Sequence, residues 1–147
     1  MREAKTGSFK VETYALHRAT QGFCDIHDLT QDGRNLIKES GIENGTATFF
    51  VSGSTAGITT VEYEPGLIQD IKSFFERLIP QNARYHHEEA WHDGNGFSHV
   101  RASLLKPSLV IPVVQGEMTL GTWQQIILVD FDNRPRTRDI TVQVMGI

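Results

Sequence analysis

The sequence predicts an α+β domain: an antiparallel β-sandwich or barrel-like sheet with two main helices packed on it. Three observations carry that expectation. One segment, Pro65 to Pro80, has a strong helical period; most of the chain after His99 reads as β; and turn dipeptides punctuate those β stretches at short intervals. At 147 residues, with 39% hydrophobic and 22% charged residues, the chain has the size and composition of one domain spanning 1–147.

The first strand is expected over Ser8 to Leu16, where Phe9, Val11 and Thr13 alternate with Lys10, Glu12 and Tyr14. Asp28 is placed to cap a short helix over Leu29 to Lys38, and Ser40-Gly41 to end it, glycine tolerating the left-handed turn that closes a helix. Two β stretches, Thr46–Val51 and Ile58–Glu62, flank the small-residue segment Ser52–Gly57. Pro65 suits the first position of the second helix, where Leu67, Ile68, Ile71, Phe74, Phe75 and Leu78 predict one buried face. Asp70 falls at the edge of that stripe, where a carboxylate is either paired or facing a cleft, a solvated helix residue being the plainer alternative. Pro80 stops the helix.

Tyr85 to Ser98 has no apolar period and reads as a polar loop. Strands are then expected at His99–Leu105, Leu109–Val114, Thr119–Phe131 and Arg138–Met145, with Pro112 marking an edge or a bulge.

Charge and composition exclude some function classes. Fourteen Lys and Arg against eighteen Asp and Glu give a net charge of −4, a poor match to nucleic acid or to an anionic membrane. No apolar run reaches the roughly 18 residues of a membrane span. Met1–Lys10 is charged and lacks the apolar core of a secretory signal, and the single Cys24 has no internal partner. A soluble cytoplasmic protein is the expectation.

Four of the six histidines lie between positions 86 and 99. Imidazole ligates metals and titrates near neutrality, so His87 and His99, twelve residues apart, are candidate metal ligands or acid/base groups. Solvated histidines paired with Glu88 and Glu89 are the plainer alternative. If the chain is extended there, the adjacent pair His86 and His87 cannot both enter one site. Ser54 and Thr55, in the glycine-flanked segment, suit a phosphate approached by backbone N–H groups, although such residues also serve turn geometry alone. Trp123 offers an apolar face with a polar N–H. Arg134, Arg136 and Arg138 alternate around Pro135, as an anion clamp or as a surface ladder.

In order along the chain, Ser40-Gly41-Ile42-Glu43-Asn44-Gly45, Ser54-Thr55-Ala56-Gly57-Ile58-Thr59 leading to Glu62, Asp70, and Tyr85 with His87 resemble the YjbQ family. The likeness continues through His99-Val100-Arg101-Ala102-Ser103, Gly116, Leu120-Gly121-Thr122-Trp123-Gln124 and Pro135-Arg136, covering roughly Gly22 to Gly146. These proteins are also called secondary thiamine-phosphate synthase enzymes. The resemblance implies a homotrimer, a histidine-lined cleft holding a divalent metal (zinc or magnesium), and weak thiamine-phosphate synthesis, the joining of a pyrimidine diphosphate to a thiazole phosphate with loss of pyrophosphate. On this reading His87 and His99 are metal ligands and catalytic groups, joined by Glu62 and Arg101. Ser54, Thr55, Gln124 and Arg136 hold a small phosphorylated substrate. Where many members have His-Thr-Thr-Ala, this chain has Gly53-Ser54-Thr55-Ala56, so one histidine of the family pattern is a glycine. A noncatalytic trimeric binding protein is the alternative expectation.

Overall fold

A computed structural model describes residues 6–147. The elements run β1 (Lys10–Thr20), β2 (Asp25–Asp28), α1 (Thr30–Ser40), β3 (Asn44–Val51), β4 (Ala56–Val61), α2 (Pro65–Leu78) and α3 (His87–Trp91). They continue with α4 (Gly96–Leu105), β5 (Ser108–Val114), β6 (Glu117–Met118), β7 (Gln125–Asp130) and β8 (Arg136–Gly146). Residues 1–5 of the charged N-terminal segment lie outside the described residues.

Two antiparallel sheets form, ordered β1-β8-β3-β5-β6 and β2-β7-β4. Alternation along the strands decides how they pack. Phe49, Val51, Ile111, Val113, Val142 and Val144 of the larger sheet share one core with Ile58, Ile126 and Leu128 of the smaller one. The opposite face of β7 gives Ile127 and Val129 to a second core with Phe75, Ile79, Phe97, Ala102 and Phe131 from the helical side. β7 is therefore covered on both faces, the physical reason that Ile126–Val129 reads as an unbroken apolar run. The layers are sheet, sheet and helices. α1 and the Leu29 that precedes it close the sandwich, Leu29 and Ile37 entering its core.

Local chemistry explains the two expected helices. Asp28 Oδ1 accepts the Thr30 N–H at the start of α1, and Gly41 ends that helix at φ +66°. Pro65 opens α2, and the Glu64 carboxylate takes the N–H groups of Gly66 and Leu67. The face expected to be buried on α2 is only partly covered. Phe75 is buried and Ile68 and Ile71 pack against the core, whereas Phe74 and Leu78 are 47% and 53% exposed. Asp70 lies at an open apolar groove beside Phe74.

The strand expected at His99–Leu105 is the helix α4, and the expected polar loop Tyr85–Ser98 contains α3 and the start of α4. Val100, Ala102 and Leu104 mimic strand alternation, yet Val100 and Leu104 are exposed. The buried set is Gly96, Phe97, Ser98, Arg101 and Ala102, which has helical spacing but includes two polar side chains. The expected strand Thr119–Phe131 shortens to Gln125–Asp130, and β6, the hairpin partner of β5, occupies only Glu117–Met118. β1 runs on to Thr20, and β2 was not expected. Pro112 lies on β5 outside the short stretch paired with β6, which leaves that side an edge.

The β3–β8 pairing sets Gly45 opposite Gly146. A Cβ on Gly45 would fall 1.9 Å from the Met145 carbonyl oxygen. Gly45→Ala is expected to destabilise the fold by about 1–3 kcal/mol, measured as a lowered urea midpoint with an unchanged slope.

Candidate functional site

At one end of the smaller sheet β4 begins, β7 ends and β8 enters, and α3 and α4 rise beside them. A cleft of about 420 Å³ opens there, lined on one side by Gly53, Ser54, Arg136 and Arg138 and on the other by His87, Asp93 and His99. Clefts of about 480 Å³ beside Cys24 and about 580 Å³ beneath α1 are larger, but neither is lined by a histidine. Convergent chemistry, not size, selects the smaller one.

His87 opens α3 and His99 lies in α4, and their rings stand 4.3 Å apart between centroids, tilted by 32°. His86 points away, exposed and paired with Glu89 at 2.8 Å. Glu88 braces the α3–α4 junction: its carboxylate accepts the Gly96 N–H at 2.7 Å and also the Gly94 N–H. Burial raises the Glu88 carboxyl, but these donors and the His87 ring outweigh it and hold it below its ordinary value. His87 Nδ1 lies 3.4 Å from Glu88 Oε1 and 3.5 Å from Asp93 Oδ1. Burial, and then the neighbouring His87, lower the His99 pKa, with Asp93 and Asp132 opposing. His99 is a neutral imidazole at neutral pH, able to accept a proton or ligate a cation.

The opposite wall is a buried ion network. Arg138 donates through Nε and Nη2 to the two oxygens of Asp130 at 2.6 and 2.7 Å, and through Nη2 to the Thr55 hydroxyl at 2.6 Å. Asp130 also accepts the Thr20 hydroxyl and the Asp132 N–H. The Thr55 hydroxyl donates to Asp132 Oδ2 at 2.8 Å, and Arg136 Nε donates to the same oxygen at 3.0 Å. Burial raises the Asp132 carboxyl, but the Thr55 and Arg136 hydrogen bonds outweigh it and hold it low. The Asp132 side chain is fully buried, and its Oδ1 has no partner among the described residues. Asn95 ties the walls together, its Oδ1 accepting the Asn133 N–H and the Ser98 hydroxyl.

The structure thus brings together His87, His99, Ser54, Thr55 and Arg136. Thr55 serves the wall itself, both of its hydroxyl bonds being internal. Arg101 corrects the expectation placed on it. It projects from α4 away from the cleft, donates to the Ile79 carbonyl at 3.0 and 2.8 Å and to Glu76 at 2.8 Å, and stacks over Phe97. It is the buried clasp between α2 and α4. Glu62 and Gln124 sit at the far end of β4, where Gln124 bonds Thr60, so this chain does not carry them to its own cleft. Trp123 is 73% exposed near that end. Asp130, Asp132, Asp93 and Asn95 were not singled out from sequence. The signal available was the Asp130-x-Asp132 spacing, which puts two carboxylates near the alternating Arg136 and Arg138.

The donor set fits a divalent cation on the histidine side. Ligand atoms of His87, Glu88 and Asp93 lie within 4.8 Å of one another, with the His99 ring beside that group.

A trimmed sandwich with helices on one side and a histidine–arginine cleft at its end defines a small α+β domain. Its lineage is clear: residues 14–147 match the family described as UPF0047 protein YjbQ-like, and the chain belongs to that family. A UPF0047 protein of Methanothermobacter thermautotrophicus is 39% identical over 143 residues, covering 97% of this chain and 98% of the relative. One from Synechocystis is 32% identical over 145 residues, 97% of each chain. Among solved structures, a YbjQ-like protein of unknown function from Sulfolobus solfataricus superposes with a TM-score of 0.90 at 32% identity, covering 95% of this chain and all 100% of the other. A hypothetical protein from Aeropyrum pernix gives 0.86 at 30% identity, with coverage of 92% and 99%. No helix among the described residues is long and apolar enough to cross a membrane.

Proposed function

We propose that the cleft binds a small phosphorylated molecule and performs metal-assisted group transfer on it, with weak thiamine-phosphate synthesis as an accompanying activity. The observation that carries this reading is the meeting of two imidazoles, the Ser54 turn and the Arg136–Arg138 wall around one opening. In the thiamine-phosphate reaction, a thiazole nitrogen forms a bond to the pyrimidine methylene carbon. The carbon–oxygen bond to diphosphate breaks, and its electron pair leaves with pyrophosphate. Arg136 and the Ser54 hydroxyl would stabilise that departing charge, as prearranged donors do where charge develops. His99, unprotonated at neutral pH, would accept a proton or hold the cation. His87, Glu88 and Asp93, with His99 beside them, would hold zinc or magnesium, which when bound supplies positive charge facing the phosphates.

A homotrimer is part of the proposal. Phe74, Leu78, Leu104 and Trp123 are exposed apolar side chains that a neighbouring subunit would cover. Glu62 and Gln124 at the far end of β4 would then be available to a neighbouring subunit. A cytoplasmic setting accords with the lone Cys24, whose buried thiol is pushed up to about 11 and is unreactive.

A second reading, a noncatalytic trimeric binding protein, is favoured by one observation: Gly53 supplies no side chain where the resemblance to the family implies a histidine. Calorimetry with inorganic pyrophosphate, run beside a thiamine-phosphate turnover assay and elemental analysis of the purified chain, decides between the two. Turnover with stoichiometric metal is expected. Binding without turnover would establish the second reading, and absence of both binding and turnover would remove the proposal. Light scattering should give about three times the 16.5 kDa chain mass.

A further inference from the structure

Resting on the phosphate-binding reading of the cleft, we propose that Arg138 Nη1, bared by the missing side chain of Gly53, is the contact that receives the ligand's oxyanion. The guanidinium is held side-on. Its Nε and Nη2 edge pairs with Asp130, and Nη2 also reaches Thr55, so both N–H bonds of Nη1 are left without a partner among the described residues. The Arg138 side chain is only 8% exposed, so this half of the fork is bare in a largely desolvated position. Such a donor has strong demand for an acceptor.

What faces it is Gly53. A Cβ built there would lie 3.0 Å from Nη1 with nothing else within 4 Å, and the glycine takes φ +117°, a conformation that side chains disfavour. The opening over the arginine therefore exists because residue 53 has no side chain. Asp130 and Thr55 fix the fork before any ligand arrives, so little ordering entropy is lost on binding. Arg136 keeps a free guanidinium edge on the same wall, its Nε being given to Asp132. Two arginines then flank one oxyanion, while Asp132 and Asp130 neutralise them from behind. That balance favours a ligand that also brings positive charge, such as a phosphate chelated to the cation on the His87 side.

The experiment is calorimetric titration of the full chain with inorganic phosphate in the presence of magnesium or zinc, with acetate as the carboxylate comparison. Gly53→Ala is expected to weaken phosphate binding about tenfold or more, the value of one charge-assisted hydrogen bond. Gly116→Ala is the control for backbone strain: Gly116 has φ +75° with nothing near its absent Cβ and lies far from the cleft, in the β5–β6 turn. It should bind phosphate within about twofold of the unmodified chain. Acetate bound as tightly as phosphate would overturn the phosphoryl assignment. Phosphate bound equally by Gly53→Ala and by the unmodified chain, yet weakened by Arg136→Ala, would overturn the role of Nη1 and leave the cleft reading intact. No phosphate binding by the unmodified chain would overturn both. Should Gly53→Ala fail to fold, the ¹⁵N resonances of the buried guanidinium in the unmodified chain must shift on phosphate addition; if they stay fixed at saturation the proposal falls.

Discussion

Replacing Arg138 with methionine is expected to cost the fold about 3–5 kcal/mol, because it strands a buried carboxylate. Asp130 has no exposure, and Arg138 gives it two hydrogen bonds. Methionine fills much of the same volume, so the loss isolates charge and hydrogen bonding from packing. The Thr20 hydroxyl and the Asp132 N–H remain on Asp130, but neither carries a compensating charge. The double variant Asp130→Asn/Arg138→Met should recover part of the loss, since an amide needs no counter-charge. Urea unfolding of the three proteins reads the difference. A loss below about 1 kcal/mol for the single variant, the range of an exposed ion pair, would mean that water reaches Asp130 and that the network is not the rigid wall described here.

That network also shows where sequence reading stops. The two main helices were legible because their signals are local: Asp28 and Gly41 bracket α1, and Pro65 with a 3.6-residue apolar period marks α2. The sandwich was legible from alternation and turn residues. α4 was not, because a helix packed through Ser98 and Arg101 has no apolar stripe, and its exposed Val100 and Leu104 counterfeit a strand. The same gap misled the site. Arg101 looks like a cleft residue beside His99 in sequence, but two positions along a helix is more than half a turn, and the side chain is delivered to the Glu76–Ile79 seam instead. His87 and His99, which share the cleft, were singled out by residue type alone. Asp130 and Asp132 were missed because their partners are Thr20 on β1, Thr55 just before β4 and the arginines of β8, and only the strand pairing reveals that Ala56 sits opposite Asp130.

Simultaneous replacement of His87 and His99 by glutamine is expected to remove bound metal and to reduce group transfer by about 10²–10⁴-fold, the usual contribution of acid–base chemistry. Glutamine keeps polarity and most of the volume, and neither histidine is in the sandwich core, so the melting temperature should change little. Full metal content and full turnover in that protein would end the assignment of this cleft as the reactive centre. The single variant His87→Gln adds a sharper test. Burial lowers the His99 pKa below its ordinary 6.5 first, and the neighbouring His87 lowers it further. Between the folded value and 6.5 the unfolded chain binds the proton more readily, so His99 makes stability fall as pH drops through that window and is neutral in effect above it. The form that accepts protons or ligates metal therefore survives below 6.5 in the native chain. His87→Gln removes the second cause, so the His99 pKa followed by NMR titration should rise. A pKa that does not move would mean that the two rings do not share an electrostatic environment, and the 4.3 Å approach between them would carry no chemical consequence.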